Sequence, residues 1–94
     1  MNNTRFSADA GFRMRVKAVV RNIPKGKTMS YGEVAKIAGR PQAARAVGSI
    51  MASNRDPSVP CHRVIGADGR LTGYAGGLDR KRWLLRHEGL RIDE

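Results

Sequence analysis

Cysteine occurs once in the chain, at position 61, so no internal disulfide can form and nothing points to an oxidising compartment. Histidine occurs twice, at His62 and His87. With Cys61 these make too few ligands for a closed zinc site. Acidic residues are scarce: 8 against 18 Lys and Arg, a formal charge of +10 over 94 residues. In so short a chain that excess points to nucleic acid or an anionic membrane surface as partner. A merely soluble or ribosome-associated basic protein is the plain alternative. No stretch approaches the roughly 20 apolar residues of a membrane span. The N-terminus carries Arg5, Arg13, Arg15 and Lys17 and no apolar signal region. A cytosolic, or nucleoid-associated, protein with no membrane span is therefore expected.

What is present suffices for one small domain, residues 1–94, with a core. Residues 1–7 are polar and expected to fray. From about Asp9 to Asn22, Phe12, Val16, Val19, Val20 and Ile23 recur at helical spacing, with Ser7 or Asp9 as cap. Pro24-Lys25-Gly26-Lys27 stops that helix. Ser30 followed three residues later by Glu33 is a capping box, opening a helix with Val34, Ile37 and Ala38 as its apolar face and Gly39 at its end. A third helix is expected over Pro41–Ser53, with Ala43 or Ala44, Val47, Ile50 and Met51 buried. Two short helices joined at Gly39-Arg40 read as a helix-turn-helix. Arg63–Ile65 and Arg70–Thr72 read as the strands of a hairpin around Gly66–Gly69. Asp79 is a plausible N-cap for the last helix, with Leu78 and Trp83 as a hydrophobic staple and Gly89 as terminator. The expected fold is mainly α: a winged-helix-like helix-turn-helix domain with a short β-hairpin.

The third helix is unusual in composition. Ala43, Ala44, Ala46, Gly48 and Ser49 leave few side chains long enough to read base edges across a major groove, Arg45 being the exception. Small residues let a backbone approach a narrow minor groove; they also allow tight packing between helices. Both readings stand on spacing alone. Cys61 follows Pro60 and precedes His62 and Arg63. A thiol needs a base, a cation or oriented N–H groups to become a nucleophile. Adjacent residues on a strand face opposite ways, so His62 is expected to act on Cys61 through a water, oriented by an acid such as Asp79, Glu88, Asp93 or Glu94. The plain alternative is an inert buried thiol beside a structural histidine.

Pro60-Cys61-His62-Arg63-Val64, taken with Tyr74-Ala75-Gly76-Gly77-Leu78 and Trp83-Leu84-Leu85 to His87-Glu88-Gly89, closely resembles the O6-alkylguanine-DNA alkyltransferases, or methylated-DNA–protein-cysteine methyltransferases. The likeness extends upstream through Ser30-Tyr31-Gly32, Ala43 to Gly48 and Asn54, covering roughly residues 9–90. The resemblance implies an enzyme that acts once, without cofactor, as a monomer on double-stranded DNA containing O6-alkylguanine. It would bind in the minor groove, flip the damaged base and take the alkyl group irreversibly on Cys61. His62 would activate Cys61 through a water, Glu88 would orient His62, and Tyr31 would donate to or polarise the leaving guanine. Arg45 would fill the space of the flipped base, with Ala44 and Gly48 beside it on the DNA-facing helix. Tyr74, Ala75, Gly76, Val64, Met51 and Asn54 would form or brace the substrate pocket.

Three departures from the family pattern stand out. The family's N-terminal domain is not in this sequence, as in the compact alkyltransferase-like proteins, which bind alkylated guanine without repairing it. Those typically carry Trp or another non-nucleophile where this chain has Cys61. The segment from Asn54 to Cys61 is one residue shorter, and Ala75 stands where a hydroxyl residue is common. The alternative expectation is thus a lesion-binding protein without transfer; a plain helix-turn-helix regulator with an incidental cysteine is the third.

Overall fold

A computed structural model describes residues 2–71 and 77–92, with side chains from residue 10 onward. The apolar spacing of the first segment produces a long helix, α1 (Asn2–Arg21), whose Phe12, Val16 and Val20 are buried together with Ile23 just beyond it. The helix begins well before the expected start at Asp9, so Ser7 and Asp9 lie within it rather than at its N-cap position. No proline interrupts residues 2–21, and extending an existing helix adds a hydrogen bond for each residue fixed.

The short helix α2 (Tyr31–Ile37) opens as its sequence requires. The Ser30 side chain accepts from the Glu33 amide at 3.0 Å, and the Glu33 carboxylate accepts from the Ser30 amide at 2.9 Å. It ends in a Schellman motif at Gly39 (φ 97°), where the amides of Gly39 and Arg40 reach the carbonyls of Lys36 and Ala35. Arg15 of α1 donates to the Ala38 carbonyl at 2.8 Å, setting a cation at this helix end. The buried face is Val34, Ala35 and Ala38; Ile37, expected inside, is 62% exposed.

α3 comprises Ala44–Ser53, not Pro41–Ser53. The Ala43 amide bonds to the Arg40 carbonyl, so Pro41 is spent on a turn between the two helices and Ala43 takes the N-cap position without a side-chain cap. Val47, Ile50 and Met51 are buried as expected and pack α3 against α2 and α1.

The sheet differs from expectation. Its strands, β1 (Met29–Ser30) and β2 (Val64–Ile65), run parallel with Met29 opposite Val64 and Ser30 opposite Ile65. The expected hairpin is not formed. Its turn exists, closed by the Gly66 amide on the Arg70 carbonyl at 2.8 Å, but Val64–Ile65 pairs with the segment before α2, and Arg70 and Leu71 are not in a strand. Thr72 lies outside the described residues.

α4 (Leu78–His87) starts two residues earlier than a cap at Asp79 would give: Gly77 is the N-cap residue, and Asp79 in the first turn accepts from Arg82 at 2.8 Å. Leu78 is then inside the helix, and the staple does not form; Leu78 and Trp83 are exposed, and Trp83 stacks on His87 with ring centroids 4.8 Å apart. The buried residues of α4 are Lys81 and Leu85. A second Schellman motif, at Gly89 (φ 95°), ends the helix and puts Glu88 at its C-cap.

Candidate active site

Cys61, His62 and Arg63 form a single 3₁₀ turn rather than the start of a strand. Pro60 sets it up: the Arg63 amide donates to the Pro60 carbonyl at 2.9 Å, and the Cys61 amide to the Val59 carbonyl at 2.8 Å. On such a turn adjacent side chains lie about a third of a rotation apart rather than on opposite faces. That is why His62 and Arg63 reach the same group, Glu88, at the end of α4.

Cys61 is 6% exposed. The buried Asn54, just past α3, directs its Nδ2 at Sγ (3.6 Å) and at the Asp56 carbonyl (3.1 Å), while its Oδ1 accepts from the Asp56 amide. It thus ties the loop after α3 to the sulfur. A cleft of about 640 Å³ reaches Cys61 and His62 and is bounded by Asn54, Arg55, Arg63 and Arg80.

Nε2 of His62 lies 3.0 Å from Glu88 Oε2. The Arg63 guanidinium clamps both carboxylate oxygens, Nε on Oε1 at 3.0 Å and Nη2 on Oε2 at 2.6 Å, and its Nη1 donates to the Ile23 carbonyl at 2.8 Å. The Arg63 bonds hold the Glu88 carboxyl at about 2, with His62 adding to the effect and burial opposing it. Glu88 is therefore an anion at neutral pH and can only accept. Its neighbour His62 carries the shared hydrogen on Nε2.

On the other side of the thiol stands a residue the sequence did not single out. Lys81 is fully buried; its Nζ donates to the Val64 carbonyl at 2.6 Å and lies 3.4 Å from the Tyr31 hydroxyl. Burial pushes its ammonium down to about 8, the Cys61 sulfur opposing. Tyr31, the first residue of α2, comes to this point because β1 pairs with β2. A signal existed: Lys81 stands four residues before Leu85 and seven before Glu88, on the buried stripe of α4, where a lysine is rarely found unpaired. Arg63 was equally unassigned, although it belongs to the same motif as Cys61.

Arg45, in the first turn of α3, is exposed and has no hydrogen-bond or ion-pair partner among the described residues. Ala44 and Gly48 are half-buried on the same helix. A Cβ built on Gly48 would meet nothing within 4 Å, so tight helix packing does not explain the glycine. Met51 and Val64 are fully buried in the core beneath the site rather than lining the cleft. Tyr74, Ala75 and Gly76 lie outside the described residues.

Comparison with known proteins bears on this geometry. Residues 11–90 match the family model described as 6-O-methylguanine DNA methyltransferase, DNA binding domain. The chain is 57% identical over 79 residues to the methylated-DNA–protein-cysteine methyltransferase of Shigella flexneri, covering 83% of this chain and 46% of the relative. It therefore spans about half the length of that curated relative. Among solved structures, Mycobacterium tuberculosis OGT in complex with DNA is 55% identical with a TM-score of 0.77, over 82% of this chain and 48% of that one. S. pombe Atl1 in complex with damaged DNA containing O6-carboxymethylguanine is 36% identical with a TM-score of 0.80, over 88% of this chain and 80% of that one.

Proposed function

This chain belongs to the family of 6-O-methylguanine DNA methyltransferase DNA-binding domains, and on that premise we propose that it repairs O6-alkylguanine in duplex DNA by moving the alkyl group to Cys61. The observation that carries the reading is the arrangement around the thiol: Asn54 Nδ2 on Sγ, and the His62–Glu88–Arg63 cluster beside it. The Cys61 proton passes, through a water, to Nδ1 of His62, since Nε2 is committed to Glu88. The sulfur then attacks the alkyl carbon. A C–S bond forms as the O6–C bond breaks, and the bonding electrons stay with guanine, which takes a proton from the Tyr31 hydroxyl. Lys81, 3.4 Å from that hydroxyl, steadies the phenolate left behind. The thioether is not hydrolysed, so each molecule reacts once.

The DNA-facing element in this reading is α3, approaching the minor groove through Ala44, Arg45 and Gly48. Arg45 occupies the stack in place of the flipped base, a rearrangement that costs a few kcal/mol. The +10 charge supplies the non-specific part of binding, with log affinity falling by about 0.9 per neutralised phosphate for each tenfold rise in salt. The protein acts as a monomer in this reading.

Incubation with duplex containing O6-methylguanine, followed by intact mass and peptide mapping, tests it. One methyl group should appear on the Cys61 peptide and none on Cys61→Ala. An unmodified Cys61 under excess lesion refutes it. A second reading, lesion binding without transfer, is favoured by one observation: the fold matches that of S. pombe Atl1 in complex with damaged DNA with a TM-score of 0.80. That reading predicts lesion-selective binding unchanged by Cys61→Ala and no covalent product.

A further inference from the structure

Arg63 enters no step of the mechanism above, yet three of its nitrogens are hydrogen-bonded and its side chain is only 16% exposed. We propose that Arg63 is a positioning residue for alkyl transfer: its clamp on Glu88 fixes which proton His62 carries and keeps the second ring nitrogen able to accept the thiol proton. The inference rests on the transfer reading and goes beyond it by giving Arg63 a role of its own.

A bare carboxylate 3.0 Å from an imidazole favours the doubly protonated ring, because the opposite charges attract. A doubly protonated ring has no lone pair on Nδ1 and cannot serve as a base. Here the carboxylate is shared. Oε2 takes both His62 Nε2 and Arg63 Nη2, and Oε1 takes Arg63 Nε, so the guanidinium offsets the charge that would otherwise hold a second proton on the ring. The planar fork also fixes the carboxylate plane, and hence the direction from which Oε2 meets the ring. The clamp is anchored outside the site, on the Ile23 carbonyl beyond α1.

Other charged groups near this cluster leave Arg63 as the one in contact. Arg21 and Asp56 face the cleft as a pair, 3.4 Å apart. Arg55 and Arg80 line the cleft but are solvent-exposed, and Lys81 is bonded to Val64 and Tyr31.

The test measures single-turnover methyl transfer from O6-methylguanine duplex between about pH 5 and about pH 9, the range over which a His base titrates. Wild type, Arg63→Met and Arg63→Lys are compared, and the His62 ring nitrogens of each free protein are followed by 15N NMR. In Arg63→Met the acid limb of the rate profile and the ring-nitrogen transition should both move up by about one pH unit. Arg63→Lys, which keeps the charge and loses the fork, should leave the limb in place and lower the plateau rate. Coincidence of limb and ring transition in Arg63→Met and wild type, whatever happens to melting temperature, overturns the proposal. Should Arg63→Met not fold, Arg63→Gln removes the same charge while retaining a donor for the Ile23 carbonyl, and is read the same way. If wild type transfers nothing, the transfer reading fails, while the nitrogen resonances still decide whether Arg63 governs the His62 proton.

Discussion

Two faces of this small domain are built on opposite plans. Around Cys61 nearly every polar group is buried and bonded: Glu88 has Arg63 and His62, Lys81 has the Val64 carbonyl and Tyr31, and Asn54 has the sulfur and the next loop. Along the exposed side of α3 the reverse holds. Arg45 has no partner among the described residues, and the space over Gly48 is empty. The first face holds its geometry before any substrate arrives, as electrostatic catalysis requires. The second leaves its bonding capacity for another molecule. A domain can thus be tightly preorganised for chemistry and open for recognition at once, because different helices carry the two tasks.

That contrast can be broken or sharpened by substitution. The largest effect is expected at Glu88→Gln, which leaves Arg63 without its carboxylate in a nearly buried site. A loss of about 3 kcal/mol or more in urea unfolding is expected, together with slowed transfer. Because the folded carboxyl titrates at about 2 against an ordinary 4.5, its stabilisation is complete above pH 4.5 and is lost as pH falls towards 2. The variant should lose that acid dependence, and an unchanged acid limb of stability would count against the clamp.

Lys81→Met should come next, with transfer slowed at least about tenfold and folding retained, since a methionine fills similar apolar space. The folded protein releases the Lys81 proton near pH 8 and the unfolded chain near 10.5. Between those values the unfolded chain binds more protons, so this group makes stability rise with pH; below pH 8 its burial cost is complete. Urea midpoints taken across that window should rise for wild type relative to Lys81→Met. Parallel curves would mean that Lys81 is not buried as a charge.

On the other face the effects on folding should shrink. Arg45→Ala is expected to change stability by no more than about 0.5 kcal/mol, yet to weaken binding to lesion duplex more than to intact duplex. Equal losses on the two duplexes would remove the stacking role. Gly48→Ala should stabilise the fold by up to about 1 kcal/mol, the helix-propensity difference, because the new methyl meets open space. The same methyl should reduce DNA affinity. A variant both more stable and equally tight would show that the DNA does not approach there.

Much of this was legible because it is local. The capping box at Ser30 and Glu33, the Phe12–Val16–Val20 stripe and the Val47–Ile50–Met51 stripe each follow from residues within two turns of one another. The Cys61 motif and its partners were legible through resemblance. What escaped depends on contacts distant in sequence. Val64–Ile65 had a near candidate partner in Arg70–Leu71 and took a far one in Met29–Ser30, a choice no local pattern encodes. Lys81 looked like one more surface cation in a chain with 18 basic residues, and its burial follows from a carbonyl 17 positions away. Trp83 and Ile37 have apolar side chains, yet they stay outside the core.

α4 also works as a ruler. Lys81 and Glu88 are seven residues apart, two turns and roughly 10 Å along one edge of the helix, and Cys61 is served from both marks: the cation beside Tyr31 at one, the anion beneath His62 at the other. A single residue inserted between them would swing one mark about 100° off that edge. Substitutions along the outer side of α4 are free to vary, but its count of residues from Lys81 to Glu88 is not.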